Sequence, residues 1–151
     1  MVIIMRAAIY PGSFNPMHRG HNNIVEEGLR IFDKIIIAVG VNPAKIPTDL
    51  DIRVHTIEAR WSSEVAARRV EVVSFTGLLA DYVREQNMRQ YNIHAVLKGI
   101  RNAADFEDER TQLYHNQDLS LGIPTIYMIA DRNVQHISST AIRTIEAMRK
   151  K

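Results

Sequence analysis

Two histidines three residues apart, His18 and His21, close the run Gly12-Ser13-Phe14-Asn15-Pro16-Met17-His18-Arg19-Gly20-His21. An imidazole can donate a hydrogen bond whether neutral or protonated. The run follows an apolar, strand-like segment, Ile3–Tyr10, and leads into an amphipathic, helix-like one. A glycine-containing turn between a strand and a helix turns backbone N–H groups and a positive helix end toward an anion. Residues three apart at a helix start can face one bound group. The chemistry this pattern could do is phosphate binding: N–H groups near Ser13 and Phe14 hold the phosphates and both imidazoles donate to them.

Three further segments carry groups of the same kind, each after a predicted strand. Asn42-Pro43-Ala44-Lys45 ends in a lysine able to reach a phosphate as a mobile point charge. In Lys98-Gly99-Ile100-Arg101, two cations flank a glycine just before a helix. Lys98 ends the buried-looking run Ala95-Val96-Leu97, so its charge needs a partner. Ser138-Ser139-Thr140 opens the last helix; one hydroxyl suits an N-cap, and the rest could bind a second phosphate.

The elements that must position these groups alternate. Predicted strands are Ile3–Tyr10, Lys34–Val41, Val70–Phe75, His94–Lys98 and Thr125–Ile129. Predicted helices are His21–Phe32, Asp49–Trp61, Gly77–Gln86, Ala103–Leu119 and Ser139–Arg149. Several strands are near-continuous in Ile, Val and Ala, as in a parallel sheet buried on both faces. In the first helix Ile24, Val25, Leu29 and Phe32 form the apolar face, and Asn22, Asn23, Glu26, Glu27 and Arg30 face away. Thr48 or Asp49 would cap the second, whose apolar face carries Trp61. The expected fold is α/β: one domain over 1–151, a Rossmann-like doubly wound sheet of five parallel strands with flanking helices. Such sheets take ligands beyond the carboxyl ends of their strands, where strand order reverses.

Composition narrows the classes. The 151 residues are 46% hydrophobic and 24% charged, as in ordinary globular domains. There is no apolar run of transmembrane length and no charged leader before the short N-terminal apolar stretch, so neither a membrane partner nor a signal peptide is expected. No cysteine is present, which removes disulfides and thiolate metal sites and suits the cytoplasm. A net charge of +2 is too balanced to point to nucleic acid. His55, His94 and His115 have no metal-ligand company and read as structural or surface. Glu71, inside a strand, reads as an outward-facing charge.

These segments, in this order from Arg6 to about Arg143, resemble the bacterial phosphopantetheine adenylyltransferases within the HxGH nucleotidyltransferase superfamily. Ala8-Ile9-Tyr10-Pro11-Gly12-Ser13-Phe14 is similar to that family's opening strand and turn. Val70–Leu79 is similar to its third strand and the helix start facing pantetheine. Lys98-Gly99-Ile100-Arg101 with Ala104-Asp105-Phe106-Glu107 is similar to its most specific internal motif. The resemblance implies transfer of AMP from ATP to 4′-phosphopantetheine with Mg²⁺ held mainly by the ATP phosphates, no dedicated metal ligands, and a homo-oligomer, typically a hexamer of two trimers. It implies that Ser13, Phe14, His21, Gly99, Ile100, Arg101, Glu109, Ser138, Ser139 and Thr140 contact ATP, and His18, beside them in the turn, would help hold the nucleotide. Ser13, Lys45, Leu79 and Lys98 would hold the acceptor, with His21 and Lys45 catalytic.

The chain departs from that family at His18 for threonine, Lys98 for arginine, Asp108 for tyrosine and Val134 for an aromatic. His18 and the end motif Ile137–Arg143 are also similar to the nicotinate-mononucleotide adenylyltransferases. Two alternatives therefore stand beside the first reading: an enzyme acting on nicotinate or nicotinamide mononucleotide (or another HxGH transferase), and a nucleotide-binding module without turnover.

Overall fold

The computed structural model describes residues 4–41, 49–89, 91–119 and 121–150. The elements run β1 (Ala7–Gly12), α1 (Arg19–Gly28), β2 (Lys34–Val41), α2 (Leu50–Arg60), α3 (Ser62–Ala66), β3 (Val70–Thr76), α4 (Leu79–Met88), β4 (Ile93–Ile100), α5 (Ala103–Asp118), β5 (Thr125–Ile129) and α6 (Ser139–Arg149). The five strands form one parallel sheet in the order β3-β2-β1-β4-β5. Strand order reverses between β1 and β4, and the doubly wound expectation holds.

Alternation along the central strands fills both faces. Ala8 and Tyr10 of β1, Ile35, Ile37 and Val39 of β2, and Ala95 and Leu97 of β4 share one cluster with Ile24, Val25, Ile57 and Trp61. The intervening Ala7, Ile9, Ile36, Ala38, Ile93 and Val96 pack against Ala80, Val83 and Leu121 on the other face. This is why the central strands lack a polar alternate, and why their apolar runs signal a parallel sheet.

Several boundaries differ from the sequence reading, for physical reasons. β1 begins at Ala7, not Ile3: Ile4 and Met5 are exposed, and pairing with β2 starts at Ala7 opposite Lys34. It then runs on to Gly12 beside Val39. α1 starts at Arg19, because His18 is its N-cap, and stops at Gly28. Phe32 is buried through a tight turn in which the Arg30 and Ile31 N–H groups bond Glu27 and Gly28. Asn22 and Asn23 do not simply face solvent: Trp61 Nε1 donates to Asn22 Oδ1 at 3.2 Å, and the Asp131 N–H donates to Asn23 Oδ1 at 2.8 Å. Asp49 lies in the left-handed region at φ 38° and caps nothing through its side chain; Thr48 lies outside the described residues. Gly77, at φ 82°, precedes α4 rather than beginning it. Trp61 is buried as expected, but it joins α2 to α3, a short helix the sequence reading missed. Glu71 is not a free outward charge: it is half-buried, paired with Lys34, and accepts from the Tyr91 hydroxyl. Burial, then that hydrogen bond, pushes the Tyr91 phenol up to about 12.

Ile57 is the one fully buried residue of α2. Ile57→Ala is expected to cost about 2–5 kcal/mol, the range for removing a buried aliphatic side chain. Urea denaturation followed by circular dichroism checks this; a loss under 1 kcal/mol would mean α2 is held by other contacts.

Candidate active site

β1 and β4 are paired only as far as Ile9 opposite Val96, yet β1 continues to Gly12 and β4 to Ile100. Beyond that pair the two strands bound a cleft of about 370 Å³ at the carboxyl edge of the sheet. Phe14, His18 and His21 line it from the first turn, Lys98, Gly99 and Arg101 from β4 and its exit, Glu109 from α5, and Ser138, Ser139 and Thr140 from the start of α6. Ten of the residues predicted for the site thus meet in one place. Ser13 is exposed at the rim of the turn. Leu79 packs against the opposite sheet face. Ile100 is half-buried and does not line the cleft. Lys45, with Asn42, Pro43 and Ala44, lies outside the described residues.

The first turn is shaped by its aromatics. Phe14 is buried at a positive φ of 45°, with its ring edge-on to Tyr10 at 5.2 Å and to His21 at 5.1 Å. A Cβ on Gly12 would come within 2.9 Å of the Phe14 ring, so only glycine permits this closure.

The two histidines cap the helix and each other. His18 Nδ1 accepts from the Gly20 N–H at 3.1 Å, and His21 Nδ1 accepts from the His18 N–H at 3.2 Å. This is a capping box in which imidazoles replace the usual hydroxyl and carboxylate. A ring nitrogen that accepts from a backbone N–H carries no proton, so in the neutral ring the proton sits on Nε2. The rings stack at 3.7 Å with 23° between planes. Burial first, then the neighbouring His18 and Arg101, pulls His21 down to about 3. Burial and Arg101 lower His18 as well. Near neutral pH the free site therefore presents two uncharged Nε2–H donors.

The cations are held by carboxylates. Arg101 grips Asp105 through Nε and a terminal nitrogen, at 2.8 and 3.0 Å, and its own backbone N–H joins the same carboxylate. That bonding raises the guanidinium and holds the Asp105 carboxyl below its usual range. Lys98 lies 3.3 Å from Glu109 and 3.4 Å from the Gln112 amide oxygen, the partners its buried position demanded. Asp108 also lines the cleft. The three hydroxyls of α6 are engaged within the protein. Ser138 caps the helix by accepting from the Ala141 N–H, Ser139 donates to the Pro16 carbonyl at 2.8 Å, and Thr140 accepts from Arg143 at 3.3 Å. What α6 offers a ligand is its first-turn N–H groups. Sequence reasoning missed Arg53 and Arg143, whose guanidiniums donate to the Ser13 and Asn15 carbonyls. Arg53 lies in no motif and Arg143 closes the end motif without a role assigned to it; both reach carbonyls 40 and 128 residues away in sequence, which only the fold brings close.

A glycine-containing turn, an imidazole pair and cations at the switch point of a 3-2-1-4-5 sheet are the setting of a nucleotidyltransferase. The chain belongs to the cytidylyltransferase-like family, whose model matches residues 9–145. Within it, the chain belongs with the phosphopantetheine adenylyltransferases. It is 38% identical to that of Geotalea daltonii over 147 residues, covering 95% of this chain and 85% of the relative. It is 37% identical to that of Lawsonia intracellularis over 145 residues, covering 95% and 80%. Among solved structures, a bifunctional NMN adenylyltransferase/ADP ribose pyrophosphatase from Francisella tularensis superposes with a TM-score of 0.68 at 17% identity. That match covers 93% of this chain and only 42% of the larger protein, and it speaks for the fold.

The lowered His21 has a signed consequence. Between its folded value of about 3 and the ordinary 6.5, the unfolded chain binds a proton that the native site does not. Stability from this group is therefore complete above pH 6.5 and is lost as pH falls toward 3. The melting temperature of the ligand-free protein should drop more steeply from pH 7 to 4.5 than that of His21→Gln. Parallel curves would show that His21 is not held neutral.

Proposed function

We propose that this chain transfers AMP from ATP to 4′-phosphopantetheine, giving dephospho-coenzyme A and pyrophosphate. The observation that carries the reading is the pair of uncharged Nε2–H donors beside Arg101 and Lys98 in the switch-point cleft. The close relatives named for this activity support the choice of substrates.

An acceptor phosphate is largely ionised at neutral pH, its second pKa being near 6, so the step needs no general base. One of its oxygens attacks the α-phosphorus of ATP in line. The bond from that phosphorus to the bridging oxygen breaks, and pyrophosphate leaves with the electron pair. The protein's contribution is positioning and charge stabilisation. In this reading His21 donates to an oxygen of the reacting phosphate, as a neutral donor that keeps its proton. His18 helps hold the nucleotide, and Arg101, oriented by Asp105, meets the β- and γ-phosphates. Ser13, Phe14, Gly99, Ile100, Glu109 and the N–H groups at Ser138–Thr140 complete the ATP side. Lys98, Leu79 and Lys45 serve the acceptor, with Lys45 bridging to the reacting centre.

Mg²⁺ fits this donor set as a passenger of the nucleotide. The Asp105 and Glu109 carboxylates are already committed to Arg101 and Lys98, and among the described residues no cluster of three or more His, Cys, Asp or Glu could hold a metal. The ion would take phosphate oxygens and water and offset phosphate charge. A cytoplasmic homo-oligomer, a hexamer by family, belongs to the same proposal. Helices α5 and α6 bury no residue fully, and Phe106, Tyr114, Ile145 and Met148 stay exposed on them, which supports further association. No helix among the described residues is long and apolar enough to cross a membrane.

His18 favours a second reading, with nicotinate mononucleotide as acceptor. Pyrophosphate release from ATP and Mg²⁺, measured with each acceptor, separates the two. Release with 4′-phosphopantetheine alone is expected, and release with nicotinate mononucleotide alone would overturn the proposal. In the productive assay, His21→Ala should lower kcat by about 10²-fold or more, the scale of losing one transition-state donor. A near-wild-type rate in the folded variant would remove His21 from the chemistry. Lys45→Ala should reduce kcat at saturating substrate as well as raise KM; a change in KM alone would deny it the bridging role.

A further inference from the structure

The Tyr10 hydroxyl is a polar group of the cleft with no part in the proposed chemistry. Tyr10 is only 5% exposed, and its ring is packed against Phe14 and 6.4 Å from His21. Phenylalanine would fill that space equally well. The hydroxyl has no hydrogen-bond partner among the described residues, and it is not one of the sealed, unpartnered oxygens. Since Tyr10 lines the cleft, that remaining opening is the cleft itself. Gly99 keeps the approach clear: a Cβ there would meet the hydroxyl at 3.7 Å and Ile24 at 2.9 Å. Tyrosine hydroxyls that are buried usually find a partner, because leaving one unpaired is costly.

We infer that the Tyr10 hydroxyl is a substrate-binding group, donating a hydrogen bond to a phosphate oxygen bound between His21 and Lys98 at the floor of the cleft. Burial, then the Glu109 carboxylate, raises the phenol above its ordinary value, so it stays a neutral donor. A phosphate oxygen is the acceptor that suits it. Glu109 Oε2 lies 3.3 Å from Lys98 and among the described residues accepts no hydrogen bond, from Tyr10 or any other group, while His18, His21, Lys98 and Arg101 make the cleft a place for anions. The inference rests on the proposed reading of the cleft as a phosphate site. It adds a donor that comes from the body of β1 rather than from the turn or the helices.

The test is Tyr10→Phe, which keeps the ring and removes only the oxygen. Because that oxygen is unpaired in the free protein, the melting temperature without ligand should not fall. Titration calorimetry with ATP alone and with 4′-phosphopantetheine alone should show one Kd raised by about 3–10-fold, the scale of one net hydrogen bond. The ligand affected identifies whose phosphate the hydroxyl meets. Unchanged Kd for both ligands together with unchanged kcat would overturn the inference, as would a lower ligand-free melting temperature, which would mean the hydroxyl already has a protein partner. Wild-type protein that binds neither ligand would instead refute the underlying phosphate reading.

Discussion

Two backbone N–H groups decide how the site works. Gly20 and His18 sit where the start of α1 has no intrahelical acceptor, and each N–H is spent on an imidazole Nδ1. The expense is structural, since it caps the helix, but its consequence is chemical. With Nδ1 committed as an acceptor, protonation of either ring would break a cap. Stacking at 3.7 Å penalises charge on both rings at once, and burial and Arg101 oppose it further. Under the proposed function the site meets anions with uncharged, fixed donors and leaves net positive charge to Arg101 and Lys98. A neutral donor suits a step in which charge moves between phosphate oxygens and no proton needs to change hands.

The turn that carries these rings cannot satisfy its own backbone. Its carbonyls belong to neither a strand ladder nor a helix, so other parts of the chain must supply donors. Arg53 from α2 takes Ser13, Arg143 from α6 takes Asn15, and Ser139 takes Pro16. Helix α6 buries no residue completely, yet it is fastened to the turn at two carbonyls. Its first turn thereby lines the same cleft as the imidazoles. The site is a joint between the first and last helices of the domain, with the end of β4 as its third side.

The sheet was legible because the central strands are apolar on both faces, which only a doubly covered parallel sheet explains. The convergence of the candidate site was legible because each group expected to meet an anion follows a strand, and such a sheet brings those ends to one edge. Boundaries were less legible where tertiary bonds override the apolar pattern. Phe32 fits the helical period of α1 but reaches the core from a turn, and Ile4 and Met5 look like strand residues but stay exposed outside the ladder, which starts at Ala7. Of the three hydroxyls that open α6, Ser138 is the expected N-cap, but sequence position cannot reveal that Pro16 and Arg143 engage the other two. Tyr10 ends the predicted first strand, and a tyrosine in an apolar run looks the same whether or not its oxygen has a partner.

The same rule of prior engagement extends to the cations and sets how phosphates must bind. Arg101 is held by two parallel bonds to Asp105, a rigid fork, and its other terminal nitrogen reaches the Ile137 carbonyl at 3.5 Å, so a phosphate would meet an already oriented guanidinium. Phosphate can be added there without dismantling the pair. Lys98 differs: it is a point charge 3.3 Å from Glu109 with no such fork, and Glu109 Oε2 accepts no hydrogen bond. A phosphate near Lys98 competes with Glu109 for the same ammonium. Binding at Arg101 is thus pre-organised, whereas binding at Lys98 includes the cost of loosening a half-buried carboxylate. A neutral donor close by, one that needs no carboxylate displaced, offsets that cost where the cation cannot act freely. The unpaired Tyr10 hydroxyl stands at that side of the cleft.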